Sequence, residues 1–360
     1  MEIYNEDKKI AVVLVNYHDY AERFLKACRN SLRAQTYNKN DFQVYIVDND
    51  SSEETFNYLK NEYPEAKILT RDDGNYSAAN NLGFKEGIKD GADYLVALNM
   101  DTEVEPDFLL ELVKSLENNP EAGLAQAKIL LYPKTEAERL SPKINSLGNI
   151  IHYLGFGFTN SYGRPDFEIK GCPEIKGYAS GCAFMVRGEV WERAGGLNEE
   201  FYMYHDDVEL SLKVKLLGYK IILVPKAVVF HKYEFNRSVR MFYYMERNRY
   251  LTLFIFASRK YLTLIFLPLL FMDVAMFFYS LLSGRFKELF KVYAYFLKTK
   301  NIDKLIKSRQ EVKAFSKLKF SDIAKNFQAK IEFQEISNPI LKYIANPLMS
   351  AYWFLIRRFI

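Results

Sequence analysis

Apolar positions follow two regimes along the chain: short runs bounded by polar clusters up to His231, then long aromatic-rich stretches toward Ile360. Ile10 to Val15, Phe42 to Val47 and the short Lys67 to Leu69 read as strands, and Tyr94 to Leu98 is an apolar run of the kind that fills the middle of a parallel sheet. Between them the sequence predicts helices from Tyr20 to Gln35, Glu53 to Tyr63 and Ala78 to Lys89, and Pro106-Asp-Phe-Leu-Leu opens another. Strands alternating with helices predict an α/β fold, a mostly parallel, doubly wound sheet with right-handed crossovers. No Gly-x-Gly-x-x-Gly follows the first strand, so a dinucleotide fold is unsupported.

Three of these strands end on polar clusters: Asn16-Tyr17-His18, Asp48-Asn49-Asp50 and Asn99-Met100-Asp101. On a parallel sheet all three share the edge at which open α/β folds bind ligands. Asp101 is placed there either to hold a hard divalent cation that in turn holds a diphosphate, or only to cap the turn before the next helix. Asp48 is suited to accept the imide N–H of a uracil or thymine ring, or else to serve an Asx turn or helix cap before Ser51-Ser52-Glu53. The small, polar stretch from Asp72 to Gly83 either admits a ligand closely, with Asn75 tolerant of a left-handed backbone, or is an ordinary loop entering a helix.

After a less regular region from Leu131 to Lys176, Gly177 and Gly181 precede an apolar strand ending at Arg187, which implies backbone packed against a ligand or another strand. A helix then runs to Gly195-Gly196. Phe201 to Leu210 is the densest polar cluster in the chain: His205, Asp206 and Asp207 fall at the N-terminus of a helix whose buried side carries Val208, Leu212 and Leu216. One aspartate can cap and the other take a proton from a hydroxyl nucleophile, or both only complement the helix dipole. Tyr219 to Val224 is a further strand. Val228 to Phe230 leads to His231, a core residue or, with Asp101 opposite, half of an Asp/His site suited to manganese or magnesium.

Charge sharpens the contrast between the two regimes. Residues 1–231 carry 26 Lys and Arg against 36 Asp and Glu, net −10, whereas residues 232–360 carry 23 against 9, net +14. The expected division is a catalytic α/β domain over 1–235 and a helical, aromatic, basic region over 236–360. Hydrophobic content of 49% excludes general disorder. Cys28, Cys172 and Cys182 are odd in number and lack Cys-x-x-Cys spacing, so neither a disulfide framework nor a zinc site is indicated, and a reduced, cytosolic chain is expected. The polar stretch from Met1 to Lys9 does not read as a signal peptide. Tyr261 to Leu282 is apolar but for Asp273 and contains Pro268; it is long enough to span a bilayer, and in-plane, re-entrant and buried helix-pair arrangements compete. Arg285 to Lys330 interleaves Lys and Arg with aromatic and aliphatic residues, as binding to an anionic cytoplasmic leaflet requires, and Tyr343 to Ile360 has the make-up of a second interfacial helix. No known motif supports a nucleic-acid partner.

Taken in order, these motifs resemble the glycosyltransferase family 2 enzymes of GT-A fold, particularly the rhamnosyltransferase-like and galactofuranosyltransferase-like members that build bacterial and archaeal surface polysaccharides. The resemblance covers roughly residues 8–250. Val12 to Tyr17 looks like the family's first strand and nucleotide loop, Val47 to Ser52 its base-binding aspartate segment, and Asp73 to Gly83 its asparagine-rich donor loop. Leu98 to Thr102 is similar to its metal-binding Asp-x-Asp variant, and His205 to Leu210 to its Glu-Asp segment, whose second acid is the base. The resemblance implies that Asn16, Tyr17, Asp48, Asp73, Asn80 and Asn99 face the donor, that Asp101 and His231 hold Mn2+ or Mg2+, and that Asp207 is the base, with Asp206 and Gly181 as supporting candidates. It implies inverting transfer from a UDP- or dTDP-sugar to a lipid-linked or oligosaccharide acceptor at the cytoplasmic face of the membrane. The alternative is a catalytically inactive nucleotide-sugar or carbohydrate-binding scaffold. Met100 stands where Pro or Asp is commoner, Asp206 where Glu is usual, and Asp73 and Asn75 where Asn and Gly are usual, which leaves the donor open. Tyr244 and Glu246 to Arg249 resemble the family's aromatic and Arg-Asn segment, to which the sequence assigns no role. A nucleotidyltransferase would need a glycine- and lysine-rich phosphate loop near the first strand, and none is present there.

Overall fold

The computed structural model describes residues 8–234, 241–331 and 339–360. Strands β1 (Ile10–Asn16), β2 (Phe42–Asp48), β3 (Lys67–Thr70) and β4 (Tyr94–Leu98) are mutually parallel, with β2 and β4 flanking β1 and β3 outside β2. Helices α1 (Tyr20–Arg33), α2 (Glu53–Glu62) and α3 (Tyr76–Lys89) make the crossovers. Every residue of β1 and β4 is buried, which is why they read as unbroken apolar runs rather than alternating ones.

Beyond β4 the sheet becomes mixed. Strand β5 (Thr102–Val104) and helix α4 (Phe108–Glu117) lead to the ten-residue β6 (Ala122–Leu131), followed by α5 (Glu136–Leu140), β7 (Ile144–Ser146), β8 (Asn149–Ile151) and β9 (Gly157–Thr159). Strand β10 (Ala183–Arg187) then inserts antiparallel between β4 and β6. After α6 (Gly188–Ala194) and α7 (Asp206–Leu216), β11 (Lys220–His231) lies parallel to β6 and antiparallel to β5. Among the described residues the order is β3-β2-β1-β4-β10-β6-β11-β5, with β7 on β6. The reversal of β10 refines the expected parallel sheet: the chain re-enters the sheet from the ligand edge, without the helical crossover a parallel strand requires.

The region from Leu131 to Lys176, read as irregular, holds the small β8–β9 hairpin. Gly177 packs against its first strand: Tyr178 N–H donates to Asn149 O at 3.0 Å, and a Cβ on Gly177 would fall 1.8 Å from that oxygen. Of the two partners open to that glycine, the structure selects another strand.

The remaining helices are α8 (Phe242–Phe256), α9 (Arg259–Leu282), α10 (Phe286–Phe296), α11 (Thr299–Phe315), α12 (Phe320–Ala324) and α13 (Asn346–Ile356). They close over an aromatic core in which Tyr153 stacks on Trp353 at 4.9 Å and Tyr261 meets Phe320 edge-on at 5.0 Å. Val208, Leu212 and Leu216, the predicted buried side of α7, belong to that same core. The expected division at 235/236 lies outside the described residues. Helix α9 runs unbroken through Pro268 and is long and apolar enough, by length and composition, to cross a membrane. Its arrangement is not the buried helix pair that competed with spanning: Tyr261 and Ile265 face the body, but Phe266, Phe271, Phe278 and Leu282 are 58% to 90% exposed.

Gly177→Ala is expected to cost about 3 kcal/mol, because the added methyl meets backbone rather than a movable side chain. Urea unfolding checks this, and an unchanged midpoint would mean that the strand contact is absent.

Candidate active site

Strands β1, β2 and β4 end side by side, and Asn16 registers directly opposite Asp48. Asn16 Nδ2 donates to Asp48 Oδ1 at 2.8 Å, while Asn16 Oδ1 accepts the Ala21 N–H at 2.8 Å. The Thr55 hydroxyl donates to Asp48 Oδ2 at 2.7 Å. Asp48 is fully buried and is not the cap of α2; Ser52 is, through a capping box with Thr55. Asn16 thus ties the end of β1 to both α1 and Asp48, with both ends of its amide engaged inside the fold.

Gly74, with φ +66°, sits where a Cβ would fall 3.0 Å from the Tyr17 ring and 2.5 Å from the Tyr202 hydroxyl, so these two rings converge on a glycine. The left-handed residue in this loop is therefore Gly74 and not Asn75, which is extended and caps α3 by accepting the Ala78 N–H at 3.0 Å. Asp73 is exposed and paired with Arg71. Asn80 is buried inside α3, its Nδ2 donating to Tyr76 O at 3.0 Å, and the Tyr76 hydroxyl in turn donates to Asn99 Oδ1 at 2.9 Å.

Thr102, the first residue of β5, registers with His231, the last of β11, which brings Asp101 against the imidazole. Asp101 Oδ1 lies 3.4 Å from His231 Nε2, and Asn145 Oδ1 lies 2.9 Å from Nδ1. With the proton on Nδ1, the Nε2 lone pair faces the carboxylate, the orientation a metal-ligating histidine needs. Burial opposes a charge on His231, yet the Cys182 sulfur and the Asp101 carboxylate outweigh it and raise its pKa well above the ordinary imidazole value. The same negative surroundings favour a cation. Among the described residues no group of three or more His, Cys, Asp and Glu side chains is arranged to hold a metal.

The segment entering α7 is bent by three non-glycine residues with left-handed φ: Tyr202 at 66°, Tyr204 at 63° and His205 at 61°. It delivers Asp207 to the start of β10, where Gly181 N–H donates to Asp207 Oδ2 at 3.1 Å and Val208 N–H to Oδ1 at 2.9 Å. Burial, then repulsion from Asp207, pushes Asp206 up to about 8. Burial also pushes Asp207 up, to about 6, against the two backbone N–H donors that favour its ionised form. Burial and mutual repulsion thus favour a shared proton on the pair, and the Gly181 and Val208 N–H groups favour the ionised form of Asp207. Cys182 links the two halves of the site: its carbonyl accepts the Asn99 N–H at 2.8 Å and its sulfur lies beside His231, one residue from Gly181. Of the predicted residues, Asp101 meets His231 and Asp207 meets Gly181, while Asn80 and Asp73 turn to partners within their own segments. Asn145, Cys182 and Tyr202 complete the arrangement with no local signal in the sequence.

Residues 11–192, just over half of the chain, match the sequence profile of glycosyl transferase family 2. The chain belongs to that family. The match to family 2 runs from β1 into α6, so it contains Asn16, Asp48 and Asp101 but stops short of Asp207 and His231. The O-antigen biosynthesis protein RfbC of Myxococcus xanthus is 29% identical over 223 residues, covering 61% of this chain and 17% of RfbC. An N-acetylglucosaminyl-diphospho-decaprenol L-rhamnosyltransferase of Mycobacterium tuberculosis is 27% identical over 240 residues, covering 62% of this chain and 75% of the relative. The uncharacterized protein y4gI of Sinorhizobium fredii is 28% identical, and this chain, as with RfbC, spans less than a quarter of its length. Staphylococcus aureus TarS 1-349, solved in complex with UDP, superposes with a TM-score of 0.50 at 14% identity over 97% of this chain and 90% of its own. GalNAc-T7, solved with UDP, GalNAc and Mn2+, gives 0.55 at 14% identity over 71% of this chain and 49% of its own. These likenesses show the GT-A fold that the motif order implied.

The native fold holds the Asp206 proton more tightly than the unfolded chain. This group's contribution to stability is therefore fully present below its ordinary pKa of 3.8 and is lost as pH rises toward about 8. Asp206→Asn cannot ionise, so its stability relative to wild type is expected to increase from about pH 5 to about pH 8 in urea unfolding. A difference that stays constant would show Asp206 ionised in the native state.

Proposed function

We propose that the chain is an inverting glycosyltransferase that moves a sugar from a UDP- or dTDP-sugar to a hydroxyl of a lipid-linked or oligosaccharide acceptor in surface-polysaccharide synthesis. The observation that carries this reading is the Asp207 carboxyl, held by Gly181 and Val208 beside the buried Asp206, on the same edge as the Asp101–His231 pair. Asp207 takes the proton of the acceptor hydroxyl as its oxygen bonds to the anomeric carbon, while the carbon–oxygen bond to the diphosphate breaks on the opposite face. The configuration inverts. A carboxylate facing an imidazole lone pair fits Mn2+ or Mg2+, which would be held by Asp101 and His231 and, when bound, neutralises charge on the diphosphate. Tyr17 and Asp48 lie where the nucleoside would meet the ends of β1 and β2. Membership of family 2, the rhamnosyltransferase relative and the UDP-bound neighbours support the reading.

The division of labour proposed here gives residues 1–235 the transfer and residues 236–360 attachment to the cytoplasmic face of a membrane. Beyond the exposed apolar face of α9, Phe290 of α10 and Leu348 and Phe354 of α13 are also exposed, within a part of the chain of net charge +14 over residues 232–360. Apolar surface beside basic charge suits an anionic bilayer.

Release of free nucleoside diphosphate from a panel of UDP- and dTDP-sugars tests the transferase. Asp207→Asn should lower the rate on the order of 10^2- to 10^4-fold, and EDTA should abolish it. Donor binding without turnover, even with membrane extract as acceptor, would identify a binding scaffold instead. Asn145→Leu should weaken Mn2+ binding about 10- to 100-fold by freeing the His231 ring, read by metal titration. Phe271→Glu with Phe278→Glu should release the protein from anionic liposomes in co-sedimentation and leave donor hydrolysis in solution unchanged; retained liposome binding would place the contact elsewhere.

A further inference from the structure

Four backbone carbonyls of the bent segment before α7 converge on two side chains of α8. Asn248 Nδ2 donates to Phe201 O at 2.8 Å, Met203 O at 2.9 Å and Tyr204 O at 2.7 Å. Arg247 Nη2 donates to Glu200 O at 2.7 Å and to Phe201 O at 3.0 Å. Arg247 Nε donates to Asn248 Oδ1 at 3.0 Å, so each side chain fixes the other. Both are buried. The Arg247 guanidinium lies over the rings of Tyr243, Tyr244 and Tyr295, and Tyr244 stacks on Tyr202 at 4.8 Å with the planes 8° apart.

What these two residues hold is the segment with Tyr202, Tyr204 and His205 in left-handed conformations. Bulky residues keep such backbone only where their surroundings over-determine it. Both residue types are suited to gripping backbone. A neutral amide serves several carbonyls without burying a charge, and a planar guanidinium reaches two at once. Helix α8 is itself tied down at the next residue. Arg249, fully buried, pairs with Glu246 at 2.7 Å, donates to Leu154 O at 3.1 Å and lies 3.6 Å from Asp273 of α9.

We infer that Arg247 and Asn248 are positioning residues that set Asp207 against the Gly181 N–H by gripping the backbone of the loop in front of it, an inference that rests on the transferase reading. Neither side chain bonds Tyr17, Asp73, Asp101 or His231, and the loop they hold meets the donor side through Tyr202, so their loss is expected to act first on the proton acceptor.

The test combines amide hydrogen exchange with kinetics on the full chain, comparing wild type, Asn248→Ala and Asp207→Asn with the donor that wild type turns over. In Asn248→Ala, exchange over 200–207 should rise about tenfold or more with the sheet strands unchanged. Its kcat should fall on the order of 10- to 100-fold while donor KM stays within about threefold. Asp207→Asn should lose turnover but keep the wild-type exchange of this loop. Unchanged loop exchange in Asn248→Ala, faster exchange throughout the chain, or a raised KM at retained kcat would each overturn the inference. Equal turnover by wild type and Asp207→Asn would defeat the transferase reading instead, while loop exchange still judges the grip. If Asn248→Ala does not fold, Arg247→Lys, which keeps the charge and loses the fork, takes its place with the same readouts, and the same outcomes support or overturn the inference.

Discussion

The site depends on one constraint, the antiparallel insertion of β10 between β4 and β6. A parallel strand would bring its C-terminal end to the edge where β1, β2 and β4 stop. Reversed, β10 brings its start, and with it Gly181 and Cys182. Gly181 contributes a backbone N–H to Asp207; a Cβ there would sit 3.4 Å from Asp207 Cβ, an ordinary contact, so the N–H rather than the absent side chain is what this position supplies. Cys182 receives the Asn99 N–H and places sulfur beside His231. Two residues at a strand start thus join a carboxylate from α7 to an Asp–His pair from β5 and β11, elements far apart in the chain.

The two halves of the site solve opposite electrostatic problems. At Asp101–His231 a buried carboxylate raises the proton affinity of the ring beside it, so the position attracts positive charge. At Asp206–Asp207 two adjacent buried carboxyls disfavour ionising together: burial and the neighbouring Asp207 raise Asp206, while the Gly181 and Val208 N–H groups favour the ionised form of Asp207.

Local pattern reached the elements whose chemistry is local. The strands β1 and β4 read correctly because burial on both faces leaves unbroken apolar runs, β2 and the exposed edge strand β3 because short β-rich runs stand between polar clusters, and α7 because its polar start and buried spacing are visible together. Strand β6 did not: Ala122-Gly-Leu-Ala-Gln-Ala-Lys has little β-branching, and it is a strand because β10 and β11 pair on either side of it. The direction of β10 was invisible for the same reason, since pairing sense is a long-range property. At the site, Asp101, His231 and Asp207 were legible from the order of the motifs they fall in rather than from local chemistry, since acids at element ends are common in this chain. Asn145 and Asn248 were not, because an asparagine announces nothing until the ring or the carbonyls it serves are in place. Asn75 misled: its tolerance of a left-handed backbone is real, but Gly74 beside it tolerates that more cheaply, which leaves Asn75 to cap.

Asp273 shows how the C-terminal helices are tied to the same site. An unpaired carboxylate on an apolar helix would be costly in lipid and would weigh against any bilayer contact. Here it points at the body, bonded by the Tyr250 hydroxyl and 3.6 Å from Arg249, while the Phe residues one turn away point outward. The acid therefore orients α9: it selects which face of an almost uniformly apolar helix meets the protein, and the outward Phe residues lie on the other. The residues it selects for contact, Tyr250 and Arg249, follow directly on Arg247 and Asn248 in α8. One helix consequently carries the attachment of the apolar platform on one side and the grip on the loop before Asp207 on the other, and its rigidity is the common requirement of both.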